Sequence, residues 1–166
     1  MTDIAVSKTM LNSTLNASPI ERVRGILLTN HKTMLMIKRI KPHNAMPYWV
    51  APGGGVEPQD KTLRSALVRE LAEELGAQVD ILQHAFTLCH EKGGKDLREY
   101  FYVCKLKDYD LNRRNGPEFN DPARGEYIPD EIPLTSTALR MINVKTPELT
   151  DWITAHLPQL QGLQGK

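Results

Sequence analysis

Two cysteines in 166 residues, neither in a CxxC pair, are too few for a zinc cluster or a disulfide framework. Cys89 and Cys104 fall on neighbouring predicted strands and read as free thiols of a reducing compartment. A surplus of either charge is also missing. With 21 basic against 20 acidic side chains the formal charge is +1, so no strong field points to a nucleic-acid polymer or a membrane surface. Lys38, Arg39 and Lys41 make one local basic cluster before His43, which taken alone reads as solvated surface. Nowhere do about eighteen apolar residues run together as a membrane span requires. The first eighteen residues lack the unbroken apolar core of a signal peptide, and no long internal repeat occurs. A cytoplasmic location and a small-molecule ligand are the expectations these absences leave.

The length suits one domain with one sizeable core. Residues 1–18 show no clear period and are expected to form a flexible arm; residues 19–158 are expected to form the domain, and residues 159–166, ending in QGLQGK, a frayed tail. Val23, Ile26, Leu27 and Leu28, the turn Asn30-His31-Lys32, and Met34 to Ile37 predict a pair of strands. Tyr48-Trp49-Val50-Ala51 predicts a strand that feeds the glycine-rich loop Pro52-Gly53-Gly54-Gly55. Residues 79–90 and 97–106 predict a long hairpin, followed by a polar loop over 108–124 whose length marks it as functional or mobile. A short strand is expected within 126–134. A last helix opens at Thr146-Pro147 and carries Leu149, Trp152, Ile153 and Leu157 before Pro158.

Between them, Leu63, Leu67, Leu71 and Leu75 recur every fourth residue until Gly76, which predicts an amphipathic helix, with Asp60 as its expected cap. Residues three and four apart share a helix face, so Glu70, Glu73 and Glu74 project within an arc of roughly 100°. Each like-charge pair at that spacing costs a few tenths of a kcal/mol, so the trio favours a bound cation. Carboxylates without histidine or thiolate suit Mg²⁺ or Mn²⁺, and Mg²⁺ commonly completes its shell with substrate phosphate oxygens. Taken alone, Arg69-Glu70-Leu71-Ala72-Glu73-Glu74 is equally what a solvated helix flank looks like, with Arg69 and Glu73 as an i,i+4 pair.

The context resembles the Nudix (MutT-like) family, whose signature is G-x5-E-x7-R-E-U-x-E-E-x-G-U with U a bulky aliphatic residue. The Gly53–Gly55 loop supplies the glycine, and Arg69, Glu70, Leu71, Glu73, Glu74 and Gly76 fill the second half in register. Two departures stand out. Counting from Gly55 puts Lys61 where glutamate belongs; counting from Gly54 puts Asp60 there with one extra residue before Arg69, and this second register is preferred. Ala77 occupies the final aliphatic position.

The resemblance implies an α/β fold, an α/β/α sandwich with a mixed β-sheet, in which the signature forms a loop-helix-loop. It also implies a pyrophosphohydrolase whose Mg²⁺ or Mn²⁺ is held by Glu73 and Glu74, joined by Glu70 and a glycine-loop carbonyl, Gly53 or Gly54. Glu70 is the alternative base, and Arg69 orients the acids. Water would attack one phosphorus of a nucleoside-diphosphate-linked substrate while a glutamate takes its proton. Arg39, Tyr48, Gly54, Gly55 and Glu118 are the candidate substrate contacts, with Asp121 and Glu126 as further loop acids. Homodimers are common among similar proteins.

Gly55-x4-Asp60-Lys61-Thr62 stands one residue from the phosphate-loop pattern G-x4-G-K-[ST]. Asp60 argues against it by bringing a side chain and a negative charge where backbone N–H groups must approach phosphate. A non-catalytic domain of the same fold, binding a nucleotide or a protein, would have no need for three crowded acids.

Overall fold

The computed structural model describes residues 18–164, so the arm expected over residues 1–18 lies almost wholly outside the described residues. The two apolar runs read in the sequence form β1 (Ile20–Leu28) and β2 (Thr33–Lys41), an antiparallel pair joined through Lys32 at φ 58°. They stay in register for only Leu27↔Leu35 and Leu28↔Met34 before separating. Beyond that point β3 (Asn44–Val50) pairs with the freed part of β2, and β4 (Gly53–Gly55) pairs with the freed part of β1. The expected glycine loop is thus itself a three-residue strand. The splay between β1 and β2 opens the cleft described below.

The predicted hairpin is longer than its sequence pattern, β5 (Ala77–Lys92) with β6 (Lys95–Tyr109), and β6 lies parallel to β1 from Ile20↔Leu97 to Leu28↔Lys105. Strand β7 (Glu126–Pro133) runs antiparallel to β2, which completes a seven-stranded mixed sheet. The segment between β6 and β7 folds into three short 3-10 turns, Leu111–Arg113, Pro117–Asn120 and Pro122–Arg124, the last two opened by proline.

Successive strand residues point to opposite faces, and the apolar set divides accordingly. Val23, Leu27, Leu35, Ile37 and Cys104 face helix α1 (Leu63–Leu75), which buries Ala66, Leu67, Leu71 and Leu75 against them. Truncating Leu71 in this fully buried layer would cost roughly 2–5 kcal/mol. Ile26, Leu28, Met34, Met36 and Val103 face the other way, onto α2 (Ser136–Arg140), α3 (Pro147–Ala155) and α4 (Leu157–Gln164). Helices on both faces of a mixed sheet make the expected α/β/α sandwich.

Two expectations are corrected. Thr62, not Asp60, caps α1: its hydroxyl accepts from Ser65 N while the Ser65 hydroxyl accepts from Thr62 N, and Gly76 closes the helix at φ 57°. Asp60 instead accepts from Glu57 N at 2.8 Å and closes the turn before the helix. The tail expected from Gln159 is helical through Gln164. Pro158 sits in the first turn of α4, where proline is tolerated, and Leu160 is buried in the core. Gln161 and Gln164 donate to the carbonyls of Leu134, Thr29 and Thr33, which ties the helix across the sheet.

Candidate active site

The three glycines after Pro52 are not equivalent. Gly53 sits at φ 148°, and a side chain there would run into the carbonyl of Val23 on β1. A Cβ on Gly54 would collide with the Glu70 carboxylate, whereas one on Gly55 meets open space. Two close approaches, backbone to β1 and backbone to an α1 carboxylate, therefore depend on Gly53 and Gly54.

Glu74 is the buried acid of the trio, with 8% of its surface exposed. Its Oε2 accepts from Gly53 N at 2.9 Å. Burial outweighs that hydrogen bond and lifts its pKa to about 7, with Glu70 and Glu118 adding like-charge repulsion. Burial likewise pushes Glu70 above the usual carboxylate range, although Arg69 opposes it.

Arg69 is the hub. Its Nε and Nη2 donate to the two Asp60 oxygens at 2.9 and 2.7 Å, Nη2 also reaches Gly55 O at 3.0 Å, and Nη1 reaches Glu70 and Glu73 at 3.1 and 3.3 Å. The guanidinium hydrogen bond, with help from Glu57 N, holds Asp60 down to about 2. Asp60 is thereby bound to an arginine and a turn and does not join the trio.

Among the described residues, no three acidic, histidine or cysteine side chains converge into a ready-made metal cage, because Arg69 draws Glu70 and Glu73 toward itself while Glu74 turns to Gly53. The donor chemistry nonetheless fits a hard divalent cation. The three side chains offer only oxygens from one helix, and two of them are raised in pKa by burial, a burden that a neighbouring cation relieves.

Glu74 faces a cleft of about 580 Å³, a volume suited to a nucleotide-sized ligand. Of the residues singled out in the sequence, Arg39, Tyr48, Gly53, Glu74 and Glu118 line it; Glu70, Gly54 and Gly55 are not part of its lining, and Arg69 and Glu73 border a separate, shallower depression beside α1. Tyr48 and Arg39 face each other across β2 and β3. Arg39 stacks on Tyr127, 3.5 Å from its ring centroid, and donates to the carbonyls of Arg124 and Glu126. Trp49 is not a cleft residue; its indole N–H donates to Asp130 at 2.8 Å, and its ring packs against the core.

Another wall of the cleft joins residues 75 positions apart in the chain. Arg24 Nε donates to the buried Glu99 at 3.0 Å, and His90 Nε2 lies 3.1 Å from the other Glu99 oxygen. Burial would raise the Glu99 pKa, but Arg24 and His90 together bring it below its ordinary value. A signal existed: in Leu97, Glu99, Phe101 and Val103, one charged residue interrupts an inward-facing apolar series.

The chain belongs to the Nudix family: the NUDIX domain model matches residues 19–144. Among its curated relatives, a Mycobacterium tuberculosis protein with the provisional name 8-oxo-dGTP diphosphatase 2 is 43% identical over 70 residues, 42% of this chain and 43% of that protein. The match thus spans less than half of that relative's length. A NUDIX hydrolase from Nitrosomonas europaea aligns with a TM-score of 0.63 at 15% identity, covering 82% of this chain and 86% of that one. A Caenorhabditis elegans Ap4A hydrolase in a binary complex aligns at 0.61 and 19% identity, covering 86% and 98%. At such identities the structural likeness establishes the shared fold.

Proposed function

We infer that this chain is a divalent-metal-dependent pyrophosphohydrolase acting on a nucleoside-diphosphate-linked substrate. The observation that carries the reading is the buried Glu74 carboxylate, hydrogen-bonded to Gly53 N at the wall of a nucleotide-sized cleft, with Glu70 and Glu73 on the same helix. The family supports hydrolysis of a diphosphate, and the name of the M. tuberculosis relative supports a nucleotide.

Glu70, Glu73 and Glu74, with the Gly53 carbonyl, would hold Mg²⁺ or Mn²⁺. When bound, the ion supplies charge neutralisation to phosphate oxygens and lowers the pKa of water. Arg69 keeps Glu70 and Glu73 extended on one side of α1, and Asp60 keeps Arg69 in place. Water adds to one phosphorus, the bridging P–O bond breaks, and a carboxylate of the Glu70, Glu74 and Glu118 group accepts the water's proton. These acids titrate as a set. Cytoplasmic residence belongs to the same reading and is supported by two cysteines that are both free, Cys89 exposed and Cys104 buried.

The deciding experiment assays nucleoside triphosphates, ADP-ribose, dinucleoside polyphosphates, NADH and nucleotide sugars with Mg²⁺ or Mn²⁺. At least one should be cleaved, and Glu74→Gln should lower its turnover about 100-fold or more. Absence of cleavage across the panel, or full turnover by the variant, would remove the assignment.

A further inference from the structure

We propose that the cleft contains an anion subsite, built by Arg39, Lys41 and Lys145 around Tyr48, which takes a phosphate group of the substrate other than the linkage being broken. This rests on the pyrophosphohydrolase reading and narrows its substrate class. The favoured substrates carry an additional terminal phosphate, as a nucleoside triphosphate does, over those whose far end is a neutral sugar.

Tyr48 is nearly buried, and three cations share its ring. Lys145 Nζ lies 4.0 Å from the centroid, Lys41 Nζ 5.9 Å and the Arg39 guanidinium carbon 6.0 Å. Three different constraints bring them there. Arg39 is the register partner of Tyr48 across β2 and β3, and an irregularity in that pairing follows before Lys41. Lys145 arrives from 97 residues away because the backbone of Trp49 exchanges hydrogen bonds with Asn143 and Lys145, each 2.8 Å.

Among the described residues no ion pair joins any of the three to a carboxylate, although Arg24, Arg69, Arg113 and Arg124 each have one. The ring face attracts cations but supplies no countercharge. A dianionic phosphate supplies it, and its oxygens match the donors: two ammonium groups and Arg39 Nη1, which has no hydrogen-bond partner among the described residues. Arg39, Lys41, Lys145 and Tyr48 line the same cleft as Glu74 and Glu118, so one extended ligand can reach both sets. Lys38 provides the contrast, since it alternates to the other face of β2 and lies 5.4 Å from the Trp49 ring, outside the cleft lining.

The test titrates inorganic triphosphate calorimetrically into the full chain stripped of divalent ions on a chelating resin. Wild type should bind, K41Q/K145Q should bind about tenfold or more weakly, and K38Q should bind as wild type does. Equal binding by wild type and the double variant overturns the subsite. So does an equal loss in K38Q, which would mean diffuse attraction, or no binding by wild type. With Mg²⁺ and turnover as the readout, the double variant should raise KM for a nucleoside triphosphate more than for a nucleoside diphosphate sugar; equal effects overturn the substrate preference. Since the titration needs neither metal nor turnover, the two readings fail separately. A chain that binds triphosphate and cleaves nothing loses the hydrolase assignment, and one that cleaves without the lysine dependence loses the subsite.

Discussion

Arg114 Nε donates to the carbonyl oxygen of Glu74 at 2.7 Å, joining the segment between β6 and β7 to the last turn of the helix that carries the acids. The same guanidinium reaches Tyr127 O at 3.3 Å and stacks on Phe119 at 4.0 Å, and Asn115 N donates to Glu73 O at 3.1 Å. Carbonyls at a helix C-terminus need partners, and here the loop bearing Glu118 supplies them. Arg114→Ala should cost about 2 kcal/mol of stability and lower kcat about tenfold, with Arg114→Lys recovering part of both. Thermal unfolding together with kcat and KM measured separately checks this; unchanged kcat would show that the contact does not position Glu118.

Gly54 and Gly55 should respond differently to alanine. Gly54→Ala drives a methyl group into the Glu70 carboxylate, while Gly55→Ala enters open space. The first should reduce turnover at least tenfold and the second should leave it within about twofold. Parallel kinetics on the two variants decide it, and equal effects would remove the packing argument.

Stability should depend on pH through Glu99. Its folded pKa is lowered, so its contribution is present above the unfolded value of about 4.3 and is lost as pH falls through the folded value. Glu99→Gln leaves Arg24 without its charged partner and should cost about 1–3 kcal/mol at pH 7. Denaturant unfolding of both proteins at several pH values should show the gap closing below pH 4; a constant gap would contradict the assignment.

The terminal helix offers a check by truncation. Ending the chain after Pro158 removes the buried Leu160 and the hydrogen bonds of Gln161 and Gln164. A loss of roughly 2–5 kcal/mol is expected, read as a fall in unfolding midpoint. An unchanged midpoint would return this segment to a frayed tail.

What could be read from the sequence was local and periodic. The leucine stripe, Gly76 and the spacing of Glu70, Glu73 and Glu74 need only the helix repeat to be recognised. The cap is not decided locally, because Asp60 and Thr62 are both good cap residues and the choice depends on Arg69, nine positions on, which claims the aspartate. The wall built from Arg24 and Glu99 joins residues 75 positions apart, and Arg114 meets Glu74 across 40, so no short window contains either. The last helix was hidden because Gln159 to Gln164 looks polar until Leu160 finds its place against the sheet.

The parallel pairing of β1 with β6 sets the order in which the chain can fold as it is made. β1 and β2 leave the ribosome carrying Val23, Ile26, Leu27 and Leu35, yet β1 gains its long partner only when Leu97 to Lys105 has followed. Until then β1 lacks that neighbour even where Leu63–Leu75 can already cover Val23, Leu27 and Leu35, the closing loop is long, and the unpaired strand edge is open to capture by other chains.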